Sequence, residues 1–199
     1  MKKLYYLPLF FLILGCSYNN PPTNTLDVCK IFKEKYSWYK AAKNSEERWK
    51  IPIHVSLAII KQESSFISDA RPERTKLLGF IPWKRTSSAR GYAQALDGTW
   101  SEYLEERGGW FKQRNDFEDA VDFIGWYNYK SHKKLGISMT NARALYLAYH
   151  EGWNGYKKGS YRKKPWLMSV ADKVQRQSDS YKIQYESCKK QLGKRFRFF

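Results

Sequence analysis

At 199 residues the chain is one domain's worth, large enough for a core of its own, and a hydrophobic fraction of 42% excludes a disordered segment. The formal charge of +17 predicts an anionic partner: nucleic acid, anionic lipid or an acidic polymer. Eight Trp and fifteen Tyr are many for this length; aromatics on that scale serve a core and also suit platforms for sugar rings or nucleobases.

The N-terminus reads MKKLYYLPLFFLILGCS, with Lys2 and Lys3 ahead of an apolar run from Leu4 to Leu14 that is too short to span a bilayer. Ile13-Leu14-Gly15-Cys16 resembles the lipobox of bacterial lipoprotein signals, which implies cleavage before Cys16 and lipid on its sulfur. An ordinary secretory signal cut nearby is the alternative. The expected organisation is a signal peptide over 1–15, a lipidated Cys16 with a flexible tether over 16–26, and a single catalytic domain over 27–199. Loss of Lys2 and Lys3 takes the formal charge from +17 to +15. Export removes nucleic acid from the candidate partners and leaves lipid surfaces and the cell wall. The expected location is the cell envelope, lipid-anchored, with Ser17 after the Cys favouring the outer membrane and its periplasmic face. Protein partners are not indicated. Cys29 and Cys188 remain as a pair on helical stripes; an oxidising compartment favours a disulfide, and two buried thiols are the alternative.

Beyond the Pro21-Pro22 tether the apolar spacing is helical almost throughout. It predicts a helix over 27–43, a short one over 45–49, and a third from Pro52 to about residue 65. Residues 67–90 have no helical period and hold Pro72, Gly79 and Pro82. They are expected to form a long loop whose Leu77, Leu78, Phe80, Ile81 and Trp83 pack on something. Helices resume after Asp97 until Gly108-Gly109, again from Asn115 or Asp116, and again after a capping Ser138 until Gly152. Pro165 opens a long last helix, with the KRFRFF end expected to fray beyond Cys188. No strand pattern stands out, and the predicted class is mostly α.

The segment AIIKQESSF, 58–66, carries the first chemical signal. Ile59 and Ile60 precede Glu63 by four and three residues, so on a helix the carboxylate shares their face, at the rim of buried surface and in the last turn. Desolvation and the negative helix end both disfavour its ionised form and raise its pKa, the condition for a proton donor near neutrality. Ser64 and Ser65 follow with hydroxyls. Alone, such a Glu is more often an exposed cap-region residue. Two further segments add to it: Gly91-Tyr92-Ala93-Gln94, where a Gly permits close approach of a ligand and Gln offers a donor and an acceptor, and Ala148-Tyr149-His150-Glu151-Gly152, which presents a Tyr and a His at a helix stop.

In this order the three segments resemble the soluble lytic transglycosylase family of the lysozyme superfamily, with its Glu-Ser, Gly-Leu-Met-Gln and Ala-Tyr-Asn-Ala-Gly signatures. The resemblance covers roughly 53–152. It implies a lysozyme-like helical domain of the goose-type lysozyme and lytic transglycosylase kind, peptidoglycan glycan strands as partner, and no cofactor. Glu63 is then catalytic, and Ser64, Gln94, Tyr149, Tyr92 and His150 bind substrate. The 31 positions between Glu63 and Gln94 exceed the family spacing and place an insertion, 71–88, beside the groove; His150 stands where the family has Asn, and Tyr92-Ala93 where it has Leu-Met.

The implied chemistry cleaves the bond between N-acetylmuramic acid and N-acetylglucosamine without water, leaving a 1,6-anhydro end. A hydrolytic muramidase is the nearest rival and needs a second carboxylate, for which Asp69, Asp97 and Glu151 are candidates. A non-catalytic wall-binding lipoprotein is the rival from another class. No H-E-x-x-H, G-x-S-x-G or Walker A pattern occurs, and His54, His132 and His150 are too scattered for a metal set.

Overall fold

The computed structural model describes residues 20–77 and 81–196. The signal sequence and Cys16 therefore lie outside the described residues, as do Leu78 and Phe80. Among the described residues the chain forms seven α-helices, a 3-10 turn and one β-hairpin. In order these are α1 (Val28–Glu34), α2 (Tyr36–Trp49), α3 (Ile53–Ser64), β1 (Arg74–Leu77), β2 (Ile81–Arg85), α4 (Asp97–Arg107), α5 (Phe117–Leu135), α6 (Ala142–Lys158), the turn (Ser160–Lys163) and α7 (Pro165–Phe196). The predicted mostly helical class holds. No described helix is long and apolar enough to cross a membrane.

Helix α3 is the axis of the fold. Every residue from Ile53 to Ile60 is buried, because α2, α5, α6 and α7 pack around it. A helix apolar on all sides has no solvent face to satisfy, so it takes the centre. Around it, capping follows local chemistry. The Asp27 carboxylate accepts the Cys29 and Lys30 N–H groups at 2.9 and 3.1 Å, and Asp116 accepts from Asp119 at 3.0 Å. Helix α5 has Glu118 and Asp119 in its first turn and His132, Lys133 and Lys134 in its last, matching the dipole at both ends.

Helices α2, α4 and α5 are joined at Asp122, which is buried on α5. It accepts from the Arg48 guanidinium at 2.5 Å, the Trp49 indole at 3.0 Å, the Tyr103 hydroxyl at 2.7 Å and Arg107 at 3.4 Å. Burial alone would raise its pKa; the hydrogen bonds from Tyr103, Trp49 and Arg48 outweigh burial and hold it below the ordinary value. Cys29 and Cys188 form a disulfide, Cα atoms 6.1 Å apart, that ties α1 to α7 across 159 positions.

Several expectations need correction. The helix expected over 27–43 breaks at Lys35 (φ −116°, ψ 71°), and 45–49 is the end of α2. The break lets Phe32 and Tyr39 meet edge to face at 5.3 Å while both stripes bury. The region 67–90 contains an antiparallel hairpin; a bulge between Arg74 and Lys76 and the Pro82 in β2 interrupt the alternation that marks a strand. Trp83 is 52% exposed there rather than packed away. Asn141, not Ser138, caps α6, accepting the Ala144 N–H at 2.9 Å.

At both ends of the chain more is tied down than expected. The segment read as a free tether through Leu26 is docked from Pro22 onward. Thr23 donates to Glu34, Tyr181 donates to the Thr25 carbonyl, and Gln184 donates to the Leu26 carbonyl. Fraying beyond Cys188 is replaced by helix through Phe196, held by buried Leu192, whose carbonyl accepts from the Tyr36 hydroxyl at 3.1 Å.

Candidate active site

Glu63 occupies the last turn of α3. The helix stops hard behind it: Ser65 (φ 50°) and Phe66 (φ 64°) are consecutive left-handed residues, and the Ser65 N–H closes on the Lys61 carbonyl at 2.9 Å. A non-glycine residue pays for that conformation, on the order of 1–3 kcal/mol each. Phe66 offsets it by total burial, stacked on Trp38 at 5.8 Å. The turn thus leaves Glu63 at the end of the most buried of the described helices, half-buried and still in touch with solvent.

Desolvation is the main force on its carboxyl and pushes the pKa up to about 8; a hydrogen bond from Tyr146 pulls the other way by favouring the ionised form. Tyr146 lies on α6, buried, one helical turn before Tyr149, so both phenols face the end of α3. Burial first, then the nearness of Glu63, holds the Tyr149 hydroxyl well above its ordinary pKa, so it stays neutral.

The Tyr149 hydroxyl donates to the Ala93 carbonyl at 2.5 Å, and its ring is wedged edge-on against Tyr127 at 5.0 Å. This fixes the loop carrying Gln94. The Gln94 amide nitrogen lies 2.9 Å from both the Ala70 and the Gly91 carbonyls. Two carbonyl neighbours require two N–H donors, which settles the orientation of the amide and leaves its oxygen as the group that can accept from a ligand. A cleft of about 220 Å³ opens here, lined by Gln94, Thr99, Phe123, Tyr127, Tyr149 and His150 among others.

The structure thus brings Gln94, Tyr149 and His150 to one cleft, with Glu63 close behind Tyr149 at the end of α3. It does not bring Ser64 or Tyr92. The Ser64 hydroxyl donates back to the Ile60 carbonyl at 3.2 Å, the usual fate of a serine inside a helix. Tyr92 is 2% exposed, packed between Trp38 and Phe117 with its hydroxyl bonded to Ser68. It is a core residue.

Gly91 needs its freedom for a different reason from the one expected. At φ +79° a Cβ there would fall 2.0 Å from the Arg114 carbonyl oxygen, so the close approach is to the protein's own backbone. Gly152 (φ 71°, ψ 162°) breaks α6 just after the cleft residues, as a helix stop there suggested, and helix then resumes to Lys158. Tyr146 escaped sequence reading because its spacing marks it as core; the i, i+3 relation to Tyr149 was the available signal.

The three candidate second carboxylates differ in kind from Glu63. Asp69 is exposed. Asp97 is 68% exposed and paired with Arg114 at 2.6 Å. Glu151 is 4% exposed and accepts from Lys164 at 2.7 Å, from His150 at 3.1 Å and from Ser160. Burial opposes its ionisation, but those donors prevail and hold its pKa down at about 2. The remaining histidines are occupied too, His54 with Ser178 and His132 with the Ile137 carbonyl.

Curated proteins and solved structures offer no match to the chain. The family model for the transglycosylase SLT domain matches residues 4–188. A match over nearly the whole chain, on a helical scaffold with an acid at the end of its central helix, shows that this protein belongs to the transglycosylase SLT domain family of the lysozyme-like superfamily.

Proposed function

We propose that the protein is a peptidoglycan lytic transglycosylase in which Glu63 acts alone as acid and then base. The observation that carries this reading is the Glu63 carboxyl at the end of α3, pushed by burial up to a pKa of about 8 and near enough to act on Tyr149, whose cleft contains only the paired, ionised Glu151 as a carboxylate among its lining residues. Glu63 donates its proton to the glycosidic oxygen between N-acetylmuramic acid and N-acetylglucosamine as the bond to the anomeric carbon breaks. The acetamido oxygen of the muramic acid bonds to that carbon and holds the positive charge. Glu63, now a carboxylate, takes the proton of the C6 hydroxyl; the C6 oxygen attacks the anomeric carbon and displaces the acetamido oxygen. The product is a 1,6-anhydro ring, Glu63 regains its proton, and no water is consumed.

The roles of the neighbours follow from their bonds. Tyr146 holds the carboxyl in place and favours its ionised state for the second half-reaction. Gln94 offers an acceptor that suits the acetamido N–H, and the Phe123, Tyr127 and Tyr149 rings offer faces to the pyranoses. Glu151, fully paired and ionised, makes a poor general base for water, which favours the non-hydrolytic course over muramidase chemistry.

The test is mass spectrometry of the muropeptides that mature, unlipidated protein releases from purified sacculi, with Glu63→Gln alongside. Anhydro products lost in the variant support the reading. Reducing ends would make the enzyme a muramidase, and sacculi bound without release would make it a wall-binding protein. Cys16 lipidation and outer-membrane anchoring belong to the same proposal. They predict that protein extracted from membranes begins at Cys16 with a thioether-linked diacylglyceryl group, read by mass spectrometry of the N-terminal peptide, and an N-terminal peptide with an unmodified Cys16 would count against them.

A further inference from the structure

The insertion between Glu63 and Gln94 carries an unusual charge. From 71 to 90 there are six cations, Arg71, Arg74, Lys76, Lys84, Arg85 and Arg90, against the single acid Glu73. All six are exposed, and among the described residues none is in an ion pair, although most cations around Asp122, Glu151 and Glu106 are. The hairpin register makes the arrangement costlier, since Arg74 stands directly opposite Arg85. Like charges in facing positions of an antiparallel pair destabilise it, and a strand with free choice of surface residues would avoid them. Residues i and i+2 share a strand face, so the exposed Trp83 stands on the same side as Arg85.

This face is fastened to the cleft. The Ala70 carbonyl, at the start of the insertion, accepts both from the Gln94 amide at 2.9 Å and from the Gly91 N–H at 2.9 Å. At the other end, Arg90 bridges Ala95, and the Ser88 hydroxyl accepts from the Asp97 N–H at 3.1 Å. Both stems of the hairpin therefore rise from the loop that presents Gln94. A peptide-bearing glycan strand is uncharged along its sugars, because each muramic acid's lactyl carboxyl is tied up in the amide to its peptide; stripping the peptides leaves one lactyl carboxylate per disaccharide, held close to the sugar ring. The anionic groups of the peptide-bearing strand are the free carboxylates of the stem peptides attached to the muramic acids.

We propose that the β1–β2 hairpin binds the carboxylates of these stem peptides through Arg74 and Arg85, with Lys84 on its other face adding to the positive field, so that the protein selects peptide-bearing glycan over denuded glycan. The inference rests on the reading of peptidoglycan as substrate. Facing arginines then make sense as a fork for one carboxylate, with the indole covering apolar peptide surface beside it.

Binding separates this proposal from turnover. Glu63→Gln protein is titrated by fluorescence anisotropy with two soluble ligands: glycan strands with uncross-linked stem peptides, and the same strands stripped by an amidase. The expected result is affinity about tenfold higher for the peptide-bearing strands, shrinking as salt rises, and lost when Arg74→Ser, Lys84→Ser and Arg85→Ser are combined in that background. A control triple, Lys157→Ser, Lys158→Ser and Lys163→Ser, removes the same charge elsewhere and should keep the preference. Equal affinity for the two ligands, no binding to either, or a preference that survives the hairpin triple but not the control would each overturn the proposal. If peptide-bearing strands are preferred while wild-type protein yields no anhydro product from either ligand, the catalytic reading fails and the hairpin's role stands.

Discussion

Glu63→Gln should make the folded protein more stable near neutral pH, by an amount that depends on pH in a defined way. The carboxyl has an ordinary value of 4.5 in the unfolded chain and about 8 in the folded one. Between those limits the unfolded chain has released the proton and the folded chain has kept it, so raising the pH favours unfolding. The penalty is absent below pH 4.5, grows through the interval and levels off above 8. At pH 7 about 2.5 pH units of it are in force, worth at most roughly 3.4 kcal/mol at about 1.36 kcal/mol per unit. Glu63 keeps some contact with water, which screens the effect and brings the figure to about 2 kcal/mol. Glutamine has no charge to desolvate, and its amide oxygen still accepts from Tyr146. Urea unfolding of both proteins at pH 4, 5.5, 7 and 8.5 measures the difference. The curves should coincide at pH 4 and separate to about 2 kcal/mol at pH 7, roughly 4–8 °C in Tm for a chain of this size. A stability difference that does not change with pH, or a variant less stable than wild type at pH 7, would refute the desolvation argument.

Other perturbations reach different parts of the molecule. Tyr146→Phe removes the hydrogen bond that favours ionised Glu63, so the alkaline limb of the pH–rate profile, expected near 8, should move upward while turnover falls about tenfold. An unmoved limb would mean that Tyr146 only packs. Asp122→Ala leaves Arg48 and Arg107 without their shared carboxylate and should cost about 3–5 kcal/mol in urea unfolding, whereas a loss under 1 kcal/mol would make the network a surface ornament. Cys188→Ser opens a loop closed across 159 positions and should cost up to about 5 kcal/mol, with a stability change of the same size on reducing the wild type.

The helical signals show which features of the chain are local. Asp27, Asp116, Pro165 and the Gly108-Gly109 pair after α4 mark helix ends by their own chemistry, and those ends were legible. Glu63 was legible as a candidate, an acid in the last turn of an apolar helix, though such a Glu can equally end as an exposed cap. The order of Glu63, Gln94 and Tyr149 carried the family, which the match over residues 4–188 bears out. The features that were not legible depend on partners distant in the chain. The break at Lys35, the docking of Pro22 to Leu26 on α7 and the helicity of α7 beyond Cys188 are all stabilised by contacts across the whole domain. The hairpin is short, bulged and interrupted by Pro82, so its pairing energy comes from register rather than from pattern.

Within the site the same division holds. Sequence by itself placed an acid in the last turn of an apolar helix; the burial that pushes its pKa up to about 8 is a product of the packing around α3. Tertiary structure alone decided which neighbours meet it. Tyr92 and Tyr149 are both aromatic residues within a motif, and only packing sends one between Trp38 and Phe117 and the other to the cleft. Tyr146 looked like core because its spacing is that of core; it became the partner of Glu63 because α6 crosses the end of α3 at that turn. A side chain's periodicity states which face it occupies, and what lies opposite that face is set by elements far away in sequence.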